Sequence, residues 1–303
     1  MRNQSRLRLT ELALIFLLTL AGIWLMAYLP FSKQYAYNQI LGSCGRGNWT
    51  YCRIFENKTP VDIAFIGSSR TICGIQDSLL ETLLSGQVHT ANLAFCRYGR
   101  PLHYVIFKDL LHHHHPSVLV LEVTEKESRF SHPDFPYIAE SEDLVFPFHR
   151  QGYLHQLVIG TQSRLEFSLK KWLGQLPEFQ KDPKNHLYDP HPRQGDPAVL
   201  AAKLNNPPKP DGLEKHWVYH TSKWYLKKMA ELAKTEGVTL KFLFLPSYGG
   251  HGGRPSEENF YRRFGEVLTP PDSIFQKPEY WVDGDHLNDN GAALLTRWLA
   301  GQF

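Results

Sequence analysis

Apolar runs of strand length alternate along the chain with helical periodicities. Residues 63–67, behind Val61 and Asp62, form a short apolar run that passes into a Gly67-Ser68-Ser69-Arg70 turn. Ile75, Leu79, Leu80, Leu83 and Leu84 then recur at helical spacing until Gly86. Residues 88–94 predict a second strand, CRYGRP a turn, and Leu102, Val105, Ile106, Leu110 and Leu111 one face of a helix. Residues 117–123 (SVLVLEV) have the composition of a central parallel strand covered on both faces. After a long break the rhythm resumes. It predicts a helix over about 216–236, a strand over 239–245, a helix over 257–268, a short strand over 273–275 and a terminal helix over 288–299 with Asn288 as N-cap. The pattern is that of an α/β fold, three-layer α/β/α with a mainly parallel sheet.

Two stretches depart from this rhythm. Residues 12–29 are an uncharged apolar run, long enough for one bilayer span, with Arg2, Arg6 and Arg8 before it and only Lys33 close behind. By the positive-inside rule, residues 1–11 are a cytoplasmic tail, 12–31 a transmembrane anchor, 32–60 an irregular extracytoplasmic tether and 61–303 the exported domain. A cleaved signal peptide is the competing reading, disfavoured by the length of the run and the lack of an A-x-A site. Residues 125–215 are rich in Pro, His and aromatics, with one clear amphipathic helix at about 154–173. They read as an insertion that forms a lid or subdomain beside the site, or a surface elaboration.

Composition narrows the function. A net charge of +3 with 21% charged residues gives no electrostatic signature of a nucleic-acid partner. Four cysteines lie outside the apolar run, in a compartment that permits disulfides. The expected pairing is Cys44 with Cys52 and Cys73 with Cys96, against the alternative of buried thiols; without a C-x-x-C pair no zinc site is expected. The run His112–His115 before Pro116 reads as a polar helix end.

Ser69 stands where a strand runs into a helix, a place that suits either a cap or a nucleophile. The segment VDGDHLNDNG, directly before the last helix, supplies Asp283 three residues ahead of His286. Ser, His and Asp are the groups that acyl transfer needs as nucleophile, base and orienting acid. This pairing of GSS after the first strand with DGDHLNDNG before the last helix resembles the SGNH/GDSL hydrolase superfamily. The likeness is greatest to its membrane-anchored, extracytoplasmic O-acyltransferase-like branch, which includes alginate O-acetylation proteins and the D-alanine transfer protein. The resemblance implies Ser69 as nucleophile, Asp283 and His286 as its partners, and the backbone N–H groups of Ser69 and Gly99 as oxyanion donors. It also implies a cell-envelope glycan substrate and a membrane acyltransferase partner, with no cofactor or metal. Two positions depart from the family pattern: Ser68 replaces the Asp of GDS-type members, and no Gly-x-Asn-Asp follows the third strand. Asn92 is a candidate substitute for the missing donor, and Asp285 an alternative orienting acid. His251 and Arg254, in the glycine-rich loop 246–254, are candidate substrate ligands. The rival to the enzyme reading is a non-catalytic glycan-binding or scaffold protein.

Overall fold

The computed structural model describes residues 2–40, 46–180, 194–205, 219–249 and 254–303, with side chains in the first stretch described from Thr10. Five strands form one parallel sheet: β1 (Ile63–Ile66), β2 (Thr90–Asn92), β3 (Val118–Val123), β4 (Thr239–Phe244) and β5 (Glu266–Leu268), in the order β2-β1-β3-β4-β5. Pairing β1 with β2 on one side and β3 on the other creates a point where the winding reverses. The crevice outside the strand carboxyl ends at such a point is where α/β sheets bind ligands.

Side-chain alternation along the strands builds two cores. Ala64, Ile66, Leu119, Leu121 and Phe242 face a cluster with Leu102, Ile106 and Leu110 of α6 (Arg100–His113) and Leu226 and Met229 of α11 (His220–Thr235). On the opposite face Ile63, Phe65, Val120 and Leu243 meet Leu80 of α5 (Asp77–Leu83) and Leu295 and Leu299 of α13 (Asp289–Ala300). The domain is therefore helix, sheet, helix. Asn288 caps α13 as expected, its Oδ1 accepting from the N–H groups of Asn290 and Gly291 at 3.1 Å.

Four expectations need correction. The helix after β1 starts not near Ile75 but at Ser69, as α4 (Ser69–Gly74), and a break at Ile75 and Gln76 precedes α5. The helix expected over 257–268 stops after one turn, α12 (Glu258–Tyr261), and the chain enters β5. A Cβ on Gly265 would lie 2.0 Å from the Leu240 carbonyl, so only glycine lets the chain approach β4 there. The strand expected at 273–275 is a 3-10 turn, Asp272–Ile274. The tether is not irregular: α2 (Lys33–Asn38), α3 (Arg46–Tyr51) and the π-helical turn Cys52–Glu56 that follows it place Tyr37, Ile40, Trp49 and Ile54 in the α6-side core, and Lys33 pairs with buried Asp109 at 2.6 Å.

Much of the insertion is equally integral. α7 (Phe135–Ile138), α8 (Ser141–Val145) and α9 (Tyr153–Leu173) bury Phe135, Ile138, Leu144 and Leu157 in that same core. α10 (Pro197–Asn205) sends Leu200 into the opposite core. At the amino end α1 (Arg2–Met26) covers most of the expected span but stops at Met26, and a turn leads to Pro30. Among the described residues no helix is long and apolar enough to cross a membrane.

Candidate active site

The turn after β1 is held from below by a carboxylate. Glu122, buried near the end of β3, accepts the Ser68 N–H and the Thr71 N–H through Oε2 at 2.6 and 3.2 Å, and the Thr71 hydroxyl through the same atom at 2.5 Å. Its Oε1 accepts the Ser68 hydroxyl at 2.6 Å. Ser68 Oγ in turn caps α4 by accepting the Arg70 N–H. The two serines thus divide the roles that the sequence left open: Ser68 is the cap, and Ser69 has its hydroxyl turned to the sheet edge.

There it meets His286. Ser69 Oγ lies 2.7 Å from His286 Nε2, and His286 Nδ1 lies 2.8 and 2.9 Å from the two oxygens of Asp283. With Nδ1–H donated to the carboxylate, Nε2 is left as the acceptor for the serine proton. Asp283 Oδ1 also accepts the N–H groups of Asp285 and His286, at 2.8 and 3.0 Å. Partial burial acts to raise the Asp283 pKa, but the hydrogen bonds from His286 and these N–H groups outweigh it and hold the group below the ordinary Asp value. The loop is fixed at its base by the Trp281–Leu287 bridge and by Trp281 itself, buried with its indole N–H on the Phe275 carbonyl. Tyr248 N–H ties the post-β4 loop to the Gly284 carbonyl.

Asp285, the alternative orienting acid, turns elsewhere. It accepts from Arg70 Nη2 at 2.8 Å and from Ser247 Oγ at 2.7 Å. Arg70, one residue past the serine, also donates to Glu125 Oε2, the Leu245 carbonyl and Ser247 Oγ, and Ser247 N–H donates to Glu125 Oε1. One guanidinium therefore joins the loops after β1, β3 and β4 to the histidine loop. Lysine has neither the fork geometry nor enough donors to replace it. Arg70→Lys should lower any turnover at this site by about 10- to 100-fold and stability by roughly 1–3 kcal/mol. Turnover measured beside a denaturant titration checks both; wild-type behaviour would mean the clamp is dispensable.

Gly99 stands at the N-terminus of α6 on the same edge, since Phe95 N–H donates to the Gly67 carbonyl and keeps the β2 loop beside the β1 turn. A Cβ on Gly99 would lie 2.6 Å from His132 N, so no side chain fits. His132 braces this loop: Asp134 N–H donates to Nδ1 at 3.1 Å, which leaves Nε2–H to donate to the Cys96 carbonyl at 2.6 Å. Below, buried Arg100 donates to both oxygens of buried Glu127, at 2.9 and 2.7 Å, and the Tyr98 and Tyr261 hydroxyls join that carboxylate. Asn92, the candidate substitute donor, instead holds α4 through the Thr71 carbonyl at 2.9 Å.

Other expectations fare differently. Cys96 is disulfide-bonded, but Cys73 and Cys52 are not, so neither the Cys73–Cys96 nor the Cys44–Cys52 pairing holds. Cys44 lies outside the described residues. Cys73 sits in the last turn of α4, and Cys96 packs against its cluster, but the Cys96 disulfide is made elsewhere. Arg254 pairs with Glu258 of α12 at 3.2 Å; His251 lies outside the described residues. Asp109, His112 and Glu140 converge as metal ligands do, yet Lys33 and Lys108 already neutralise the two carboxylates.

Two buried histidines give the site a pH dependence. Burial, with the Arg100 charge beside it, pulls His103 well below the ordinary imidazole value. Burial also lowers His132, against the opposing pull of the Cys96 carbonyl and Asp134. Both are neutral in the fold and gain a proton on unfolding once the pH drops below about 6.5. Stability is therefore intact above that pH and falls below it, by up to about 1.4 kcal/mol per pH unit for each histidine. Denaturation midpoints across the acid range should show this slope, and His103→Gln should reduce it. An equal slope in the variant would assign the effect to other groups.

Searches against protein-family models, curated proteins and solved structures bring out no match. The functional reading therefore rests on the site and on the motif resemblance.

Proposed function

We propose that the protein is an SGNH-type serine acyl-transferring enzyme, an O-acyltransferase or esterase, held at the membrane by its amino-terminal helix and acting on cell-envelope glycan outside the cytoplasm. The observation that carries the chemistry is the contact of Ser69 Oγ with His286 Nε2 at 2.7 Å, backed by Asp283 on Nδ1. Ser69 attacks an acyl ester as His286 takes its proton, and the carbonyl becomes a tetrahedral oxyanion. His286 then returns the proton to the leaving alcohol, which departs as the carbonyl re-forms. In the second half His286 deprotonates the acceptor hydroxyl, of a sugar or of water, which takes the acyl group, and His286 hands that proton to Ser69 Oγ as the serine ester breaks. The N–H groups of Ser69 and Gly99 serve the oxyanion.

The glycan substrate, the export and a membrane acyltransferase partner that delivers the acyl group come from the resemblance. The 29% and 48% side-chain exposure of His286 and Asp283 is compatible with a large acceptor. The chemistry is tested by exposing the protein to a fluorophosphonate probe and a short-chain aryl acetate. Labelling of Ser69 with acetate release supports it, and absence of both favours the non-catalytic scaffold. Topology is tested separately: a reporter fused after Phe303 should be active only outside the cytoplasm. Activity confined to the cytoplasm would reject the envelope substrate.

A further inference from the structure

The described part of α1 leaves the domain as a bare apolar rod. Leu14, Ile15, Phe16, Leu17 and Leu18 are consecutive, so they point in every direction around the helix, and each is more than half exposed. A helix apolar on all sides requires apolar surroundings on all sides. Only its last turns pack, through Leu20, Ile23 and Trp24, and they do so against the insertion: Thr161 Oγ1 of α9 donates to the Ile23 carbonyl, and Trp24 stacks on Phe148.

α9 carries a second apolar surface at that junction. Leu154, Val158, Leu165, Leu169 and Trp172 are all exposed, Trp172 to 82%. At about 100° per residue they fall within an arc of roughly 60°. The arc lies next to the line of Thr161, between the face that buries Leu157, Arg164 and Phe167 and the polar face with Gln162 and Glu166. The stripe holds no charge, and it runs the length of the helix from Leu154 to Trp172. The apolar surface of α1 thus continues onto one flank of α9.

We infer that α9 is a membrane-surface helix: its stripe lies in the interface of the phospholipid bilayer that receives α1. Continuity with α1 selects the occupant. A bilayer covers an all-round apolar rod and an adjoining flat stripe together. The consequence is a fixed orientation of the catalytic domain, with α9 and the α6-side layer towards the lipid. The inference rests on the membrane attachment of α1 proposed above.

The full chain in vesicles of phosphatidylethanolamine and phosphatidylglycerol tests it, with dibrominated acyl chains as depth-sensitive quenchers of tryptophan. The Trp172 signal is the difference between wild type and Trp172→Phe, a change at an exposed position that leaves the core untouched. The expected result is that brominated chains quench most of this signal and aqueous iodide little of it. Carbonate extraction runs in parallel. Release of the protein by carbonate would overturn the attachment of α1 and this inference with it. Retention with Trp172 open to iodide would overturn the inference alone. Retention with Trp172 shielded from both quenchers and cross-linked to another chain would also overturn it, in favour of a protein partner.

Discussion

Ser69→Ala and His286→Ala should each reduce acyl-enzyme formation by on the order of 10⁴-fold or more, and the double variant should be little worse than either. The reason is the shared proton: Ser69 Oγ is 2.7 Å from His286 Nε2, and a serine without its base is a poor nucleophile. Asp283→Asn should cost about 10³- to 10⁴-fold, because an amide that turns its NH₂ towards Nδ1 favours the wrong imidazole tautomer. Asp285→Ala should cost much less, since Asp285 meets Arg70 and Ser247 rather than the imidazole. Stability separates chemistry from folding. Ser68, not Ser69, caps α4, so Ser69→Ala should leave the melting temperature near wild type while probe labelling disappears. Serine labelling that persists in Ser69→Ala, or loss explained wholly by unfolding, would remove the basis for the enzyme reading.

Local signals made the frame legible. The β3 run, the amphipathic face of α9 and the Asn288 cap each declare themselves within a few residues, and the Ser69, Asp283 and His286 positions follow from two short motifs, one at a strand–helix junction and one in the loop before the last helix. What stayed hidden depends on long-range contacts. Glu122 in SVLVLEV reads only as a polar interruption until β3 pairs beside β1 and brings its carboxylate under the Ser68 turn. Arg70 reads as the residue after the nucleophile, whereas its partners lie at 125, 245, 247 and 285. β5 was lost among helical neighbours because it spans three residues and depends on a close approach at Gly265. In the segment 32–60 the aromatics were the available sign of burial, since Tyr37 and Trp49 are core residues and a Cβ on Gly47 would lie 2.3 Å from the Tyr37 carbonyl.

Glu122→Ala should disable the site without touching the triad. The carboxylate receives four hydrogen bonds from Ser68 and Thr71 in a buried pocket, and its removal strands those donors and leaves a void. Unmet buried donors cost about 1–3 kcal/mol each, reduced where a hydroxyl can turn to another acceptor, so the expected loss of stability is roughly 3–5 kcal/mol. Glu122→Gln keeps a carbonyl oxygen for the Thr71 and Ser68 N–H groups and offers its amide to Ser68 Oγ; it should cost only about 1 kcal/mol and retain labelling at Ser69. Gly67→Ala probes the same pocket from above. Its Cβ would lie 2.2 Å from Thr71 Oγ1 and 2.5 Å from Glu122 Oε2, so the turn must open and carry Ser69 away from His286. Thr71→Val should weaken the support by removing a single hydroxyl donor, and the ordering Glu122→Ala worse than Thr71→Val worse than Glu122→Gln is specific to a carboxylate that holds the nucleophile turn. Urea titrations and probe labelling of the three variants measure it. If Glu122→Ala proved as stable and as readily labelled as wild type, α4 would hold Ser69 in place without help from β3.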